Sequence, residues 1–212
     1  MSVSEDAVGV LLAGGKSSRM GGGDKCLLPL SGRPMLRHIL DRLKPQLADL
    51  IINANGDATR FSAFGLAVVE DRLGGYAGPL AGVHAALLWT RENRPGRRFV
   101  LSAATDTPFF PGDLVRRFEQ ALGGSSSKLL VARSERGTHP VFALWPISLV
   151  ETLEESLKNG LRKVGEFVRR EGAEPVDFPP VEIAGREIDP FFNINRPEDL
   201  AEAEALLRGR AA

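Results

Sequence analysis

Three basic side chains, Lys16, Arg19 and Lys25, stand in a run of glycines, GGKSSRMGGGDK over residues 14–25. Glycine lets the backbone approach an anion closely, and exposed backbone N–H groups then bind phosphate. The cations add charge-assisted contacts. Together these residues describe a site for a phosphorylated ligand, and a nucleotide is the expected one. Lys25 and Arg19 are expected on the triphosphate. Lys16 is the one most readily explained as a solvated surface charge. Asp106 ends the apolar run VLSAATD at residues 100–106, and it is the best placed carboxylate for a metal. Mg²⁺ takes one or two carboxylates and fills its remaining positions with phosphates and water. An Asx turn ahead of Thr107 and Pro108 is the plain structural alternative. Asn53 carries both a donor and an acceptor, which suits a base or ribose edge or, equally, a turn at a strand end.

These residue types fit one kind of chemistry. A phosphate monoester is already largely ionised at neutral pH, its second pKa being about 6. Its attack on the α-phosphorus of a nucleoside triphosphate needs no general base. It needs alignment and charge neutralisation. The three histidines, His38, His84 and His139, show no metal-ligand spacing. Spacing also removes two common glycine-loop motifs. A P-loop would need glycine where Val10 stands, and a dinucleotide fingerprint begun at Gly21 would need glycine at Cys26.

Such residues must be held by a scaffold, and the apolar pattern predicts one. Residues 8–13 form a continuous apolar run, as in a strand buried on both faces. Helical spacing follows over 34–43, then strands over 50–53 and 66–69, a helix over 79–90, a strand over 98–103 and a helix over 114–122. Alternation of this kind gives a mostly parallel sheet with helices on both faces. Ligands bind beyond the carboxyl ends of such strands. The glycine loop, Asn53, Asp71 and Asp106 therefore belong along one edge. The second half is less regular. Strands are expected over 128–132 and 139–144, helices over 147–158, 161–170 and 196–207, and a short strand over 191–195. Residues 175–187, rich in proline, are expected to be irregular. Asn193 and Asn195 share one face of that short strand. Asn195 is also placed to cap the last helix, with Pro197 in its first turn and Glu198 three residues on.

Length and composition set the outer bounds. The chain has 212 residues, 43% of them hydrophobic, with 27 basic and 27 acidic side chains. That is enough for one large α/β domain. A balanced charge argues against broad nucleic-acid binding. A single cysteine, Cys26, forms no internal disulfide and reads as a small packing residue. No apolar run approaches the roughly 20 residues that cross a bilayer. A cytoplasmic protein with no membrane partner is expected.

The stretch LAGGKSSRMGGGDK at residues 12–25 resembles the signature of the nucleotidyltransferases that share the nucleotide-diphospho-sugar transferase fold. Within that group it most resembles the molybdenum cofactor guanylyltransferases. NAN at 53–55, VVED at 68–71, GPLAG at 78–82, TDTP at 105–108 and FNINRPEDL at 192–200 resemble further blocks of that family in the same order. The resemblance implies a three-layer, Rossmann-like α/β fold in one domain, with residues 1–125 holding GTP and 126–212 the acceptor. It implies GMP transfer from GTP to molybdenum-molybdopterin with Mg²⁺, or Mn²⁺, as cofactor. Arg19, Lys25 and Asp106 are then catalytic, with Asp106 on the metal. Leu12, Ala13, Gly14, Gly15, Lys25, Asn53, Asp71, Gly78 and Asp106 bind the nucleotide. Gly15 points to guanine, because cytidylyl relatives more often carry L-A-A-G. The resemblance places Asn193 and Asn195 on the acceptor side; by residue type Arg162 and Lys163, with Arg133, Arg136 and His139, could receive the acceptor's phosphate or pterin, a solvated charged surface being at least as good a reading of Arg133 and Arg136. Other cofactor-biosynthesis proteins and recipient molybdoenzymes are implied partners. A cytidylyl- or sugar-nucleotidylyltransferase, or a nucleotide-binding chaperone without chemistry, stays open on the same motifs.

Overall fold

The computed structural model describes residues 2–14, 24–73 and 78–209. In chain order the elements are α1 (Val3–Asp6), β1 (Ala7–Leu12), β2 (Pro29–Leu30), β3 (Arg33–Pro34), α2 (Met35–Leu43), β4 (Asp49–Asn53), β5 (Ala67–Val69), α3 (Pro79–Asn93), β6 (Phe99–Ala104) and α4 (Leu114–Leu122). They continue with β7 (Leu130–Ser134), β8 (Gly137–Pro146), α5 (Val150–Lys158), α6 (Val164–Arg170), β9 (Glu174–Asp177), β10 (Val181–Ile183), β11 (Arg186–Ile188) and α7 (Pro197–Leu207). Short 3₁₀ turns cover Lys25–Leu27 and Ala58–Phe64.

One seven-stranded sheet runs in the order β5-β4-β1-β6-β8-β7-β9. All its pairings are parallel except those of β8, which lies antiparallel to both β6 and β7. This is the mostly parallel mixed sheet that the alternation predicts. β1 shows why it is central. Ala7, Leu11 and Ala13 face a cluster with Leu36, Leu40 and Leu43 of α2 and Phe118 of α4. Val8, Val10 and Leu12 face Leu80, Val83 and Leu87 of α3, with α5 and α6 beyond. Successive side chains of a strand point to opposite faces, so a wholly apolar run is what two covering layers require. Gly9 is the exception, and a Cβ there would lie 2.4 Å from Leu50.

The chain turns outward from β1 to β4 and β5, then returns to place β6 on the other side of β1. That reversal opens a crevice beyond the carboxyl ends of β1 and β6. A third apolar cluster, with Leu30, Met35, Phe109, Ile194 and Leu206, docks α7 and its leading segment against the β2–β3 hairpin. Among the described residues no helix is long and apolar enough to cross a membrane.

Two expectations for the second half need correction. Residues 175–187 are ordered. Pro175 sits in β9, an edge strand, where its missing N–H costs no interior ladder bond. β10 and β11 form a hairpin turned by Ala184 and Gly185, both at positive φ. Residues 191–195 are not a strand. Asp189 bends them, accepting from Phe191 N–H through its side chain (2.7 Å) and from Phe192 N–H through its carbonyl (3.0 Å).

Candidate functional site

Beyond the β1 and β6 ends lies a cleft of about 440 Å³. Its centre is Lys25, which leaves the 3₁₀ turn after the glycine loop with only 9% of its surface exposed. Its Nζ donates to Asp106 Oδ2 and to Asn195 Oδ1, each at 2.7 Å. Three segments far apart in sequence therefore meet at one ammonium. The backbone repeats the link, since Ile194 N–H donates to the Asp106 carbonyl at 2.8 Å. Thr105 Oγ1 donates to the Leu12 carbonyl (3.1 Å), tying β6 to β1 at the lip. An ammonium has three donors, and two are used among the described residues.

Asn195 corrects the capping expectation. α7 starts one residue later, with Arg196 at its N-cap. The cap acceptor is then Asp199, whose carboxylate takes the N–H groups of Asn195 (2.7 Å) and Arg196 (2.8 Å), in place of Glu198. The Asn195 side chain is left to hold Lys25. Asn193 lines the cleft and also a second pocket beside it.

A polar shelf forms the opposite wall. Asp71 accepts from Asn53 Nδ2 (3.0 Å) and Asn55 Nδ2 (2.8 Å), and its N–H donates to Asn55 Oδ1 (2.9 Å). Asn53 also donates to the Val69 carbonyl at 3.0 Å and is only 6% exposed. Its amide nitrogen thus fixes Asp71, while the residue also lines the cleft. Gly82 of α3 makes this possible, because a Cβ there would lie 2.1 Å from Asn53 Oδ1 and 2.8 Å from its Cγ. Asp71 keeps unused lone pairs toward the cleft that it lines.

Leu12, Ala13, Gly14 and Gly78 also line the cleft. The Ala13 N–H is taken by the Asn53 carbonyl (2.9 Å), so it is not a free donor for a base. Gly14 faces open space. Gly78 caps α3 at φ +128°, a conformation that favours glycine, and aims the start of a 15-residue helix at the cleft. Gly15, Lys16 and Arg19 lie outside the described residues. Asp24 and Arg60 complete the wall and were missed from sequence. Their ion pair is 2.5 Å, Arg60 Nη2 donates to the Asn55 carbonyl (2.8 Å), and the guanidinium lies 4.6 Å from the Phe61 ring centroid. Asp24 stood in plain view beside Lys25, whereas Arg60 sits in a stretch with no strand or helix signal.

Arg162 and Lys163 do not line the cleft, though the Arg162 carbonyl stands beside Gly78 at its rim. They line a separate hollow with Ser156 and Arg170, and Arg162 Nη1 donates to the carbonyls of Leu157 and Leu161 at the end of α5. Arg133 pairs with Asp177 at 2.6 and 2.8 Å on the surface. The second pocket, about 430 Å³, shares Ala104, Val141 and Asn193 with the cleft and adds Arg136, His139 and Phe191. Cys26, one residue past Lys25, points into the core, where burial foremost pushes its thiol up to about 12. It is a packing residue, as the sequence suggests.

Among the described residues no three His, Cys, Asp or Glu side chains form a metal cage. Asp106 instead offers a single carboxylate at the cleft floor. That suits an Mg²⁺-like ion that takes most of its ligands from phosphates and water.

The MobA-like NTP transferase domain matches residues 9–174. A molybdenum cofactor guanylyltransferase of Bradyrhizobium sp. strain ORS 278 is 47% identical over 93% of this chain and 92% of its own length. That of Mesorhizobium japonicum is 47% identical over 96% and 97%. Among solved structures, molybdopterin-guanine dinucleotide biosynthesis protein A from Archaeoglobus fulgidus superposes with a TM-score of 0.71, covering 95% of this chain and 98% of that one at 23% identity.

Proposed function

This chain belongs to the MobA-like NTP transferase family, and on that premise we infer that it transfers GMP from GTP to molybdenum-bearing molybdopterin. The products are the guanine dinucleotide cofactor and pyrophosphate. The observation that carries the mechanism is the position of Lys25 in the cleft, pinned between Asp106 and Asn195.

In this reading the cleft takes GTP and the second pocket takes the pterin. The first half of the chain supplies the strand ends around the nucleotide, and the second half supplies most of the acceptor wall. Asp71 offers carboxylate oxygens to N–H or O–H donors of the nucleoside, and Asn53 and Asn55 stop it from turning away. Gly14 and the glycine loop give backbone N–H groups to the phosphates. The acceptor's terminal phosphate is the nucleophile and arrives ionised. Lys25, with Arg19 from the loop, offsets the charge that develops as pyrophosphate departs. Asp106 would hold a divalent cation, Mg²⁺ by its preference for hard oxygen ligands, which when bound neutralises charge on the triphosphate. Asn195 and Asp106 keep the Lys25 stem from rotating, so the ammonium is already aimed when substrates arrive.

Thermal stabilisation with Mg²⁺ and each nucleoside triphosphate tests the nucleotide half. GTP at 100 times its Kd should stabilise by about 2.7 kcal/mol, with CTP, ATP and UTP giving less. Pyrophosphate release that needs both GTP and molybdopterin tests the transfer. A larger shift with CTP would move the chain to cytidylyl transfer. Stabilisation by GTP without pyrophosphate release would leave a nucleotide-binding chaperone.

A further inference from the structure

The second pocket contains a hydrogen-bond chain that the transfer mechanism does not use. His139 of β8, the register partner of Ala132, reaches diagonally to Ser134 of β7, with Nε2 and Oγ 2.7 Å apart. The same Oγ lies 2.7 Å from Asp189 Oδ2 and accepts the Arg136 N–H at 3.2 Å. The other Asp189 oxygen accepts the Phe191 N–H. Asp189 is buried, with 6% of its side chain exposed.

Counting protons fixes the imidazole. A carboxylate only accepts, so the single Ser134 hydroxyl proton goes to Asp189. Ser134 Oγ has none left for His139, and His139 Nε2 must supply its own. The ring is therefore the Nε2–H tautomer, and its Nδ1 carries a bare lone pair. Burial lowers the His139 pKa and keeps the ring neutral, partly offset by the Asp189 charge. Phe191 stacks on the ring at 4.3 Å and 28° and holds its plane. His139 and Phe191 both line the pocket.

We propose that His139 Nδ1 is a specificity contact in the acceptor pocket, accepting a hydrogen bond from a ring N–H or amino group of a planar heterocycle, with Ser134 and Asp189 as its positioning residues. This rests on the assignment of that pocket to the acceptor. A neutral nitrogen with a bare lone pair repels a phosphate oxygen, so His139 favours the ring end of the acceptor, while the Arg136 guanidinium of the same pocket lies 3.7 Å from Asp189. An imidazole free to take either tautomer would not discriminate.

Steady-state kinetics with GTP and molybdopterin test it through three replacements. His139→Gln keeps an N–H donor at the ε position for Ser134 but loses the δ acceptor. His139→Phe keeps the stack and loses both. His139→Asn keeps a carbonyl acceptor near the δ position. The expected result is an acceptor KM raised about tenfold in the Gln and Phe variants, the scale of one lost neutral hydrogen bond. The GTP KM and the saturating rate should stay within about twofold, and the Asn variant within about threefold throughout. Ser134→Ala, which frees the tautomer, should raise the acceptor KM by about threefold and keeps the proposal testable if a His139 variant folds poorly. An unchanged acceptor KM in His139→Gln, or an equal rise in the GTP KM, overturns it. Failure of the wild-type protein to use molybdopterin at all would instead strike the functional reading beneath it.

Discussion

The cleft and the pocket beside it are nearly equal in volume yet are built in opposite ways. The cleft is made of strand ends, with β1, β4 and β6 delivering Gly14, Asn53 and Asp106 to one edge. Its polar side chains are cross-tied, Lys25 to Asp106 and Asn195 and Asp71 to Asn53 and Asn55. The pocket is made of the antiparallel strand β8 and the bend after Asp189. Aromatic rings form part of its wall, with Phe191 touching both His139 and Phe142. A triphosphate needs pre-aimed charge, which a parallel sheet edge supplies at low reorganisation. A flat ring needs stacking surface and a few placed dipoles, which a hairpin and a bend supply. Lys25 joins the two halves of the chain, because one partner ends β6 and the other precedes α7.

If that division is right, variants on the two sides separate kinetically. The largest effect is expected at the junction. Lys25→Met keeps the buried stem and removes the charge, and it should lower kcat by about 10²–10³-fold. Asp106→Asn should cost a similar factor and change the divalent-metal dependence, which a Mg²⁺ titration of the rate would register. Next comes Gly82→Ala. The added methyl meets an Asn53 amide held by two hydrogen bonds and cannot be accommodated freely. A stability loss of about 1–3 kcal/mol is expected in urea unfolding, with a rise in the GTP KM as Asp71 is displaced. Asp71→Asn should raise the GTP KM about tenfold and leave the acceptor KM alone, the mirror image of His139→Gln. If Asp71→Asn moved both constants equally, the two cavities would be one site.

The same contrast explains what could be read from the chain. Strand ends are legible because an apolar run with a polar residue after it has one place to go in a parallel sheet. Asp106, Asn53 and Asp71 are found that way, and so is the edge on which they meet. What sequence does not give is how a side chain spends its hydrogen bonds. Asn53 lines the cleft as expected, but its second job as a brace is not legible, since its partner Asp71 lies 18 residues away and its packing depends on Gly82. Asn195 looks like a cap and is a lysine partner, because a shift of one residue in the start of α7 hands capping to Asp199. The chain His139–Ser134–Asp189 spans a hairpin and a distant bend, with no local spacing to mark it. Arg162 and Lys163 carry the right charge for an acceptor phosphate, and charge alone does not say that they line a hollow of their own beside Gly78.

The smallest predicted effect probes the footing of the junction. In the 3₁₀ turn Lys25–Leu27, Lys25 goes to the cleft and Cys26 to the core. Burial, with the Asp24 charge second, raises the Cys26 thiol from 9.0 to about 12. The folded state therefore favours the protonated thiol more than the unfolded state does. That preference costs nothing below pH 9, where both states keep the proton. Between pH 9 and 12 the unfolded chain ionises first, so stability falls as pH rises. At pH 10 the loss is about 1 kcal/mol. Cys26→Ala should shift stability by a constant amount at neutral pH and abolish this alkaline component, as read from urea midpoints at pH 8 and pH 10. A wild-type curve flat across that interval would mean that the thiol reaches solvent, and that the turn presenting Lys25 is looser than the packing of Cys26 requires.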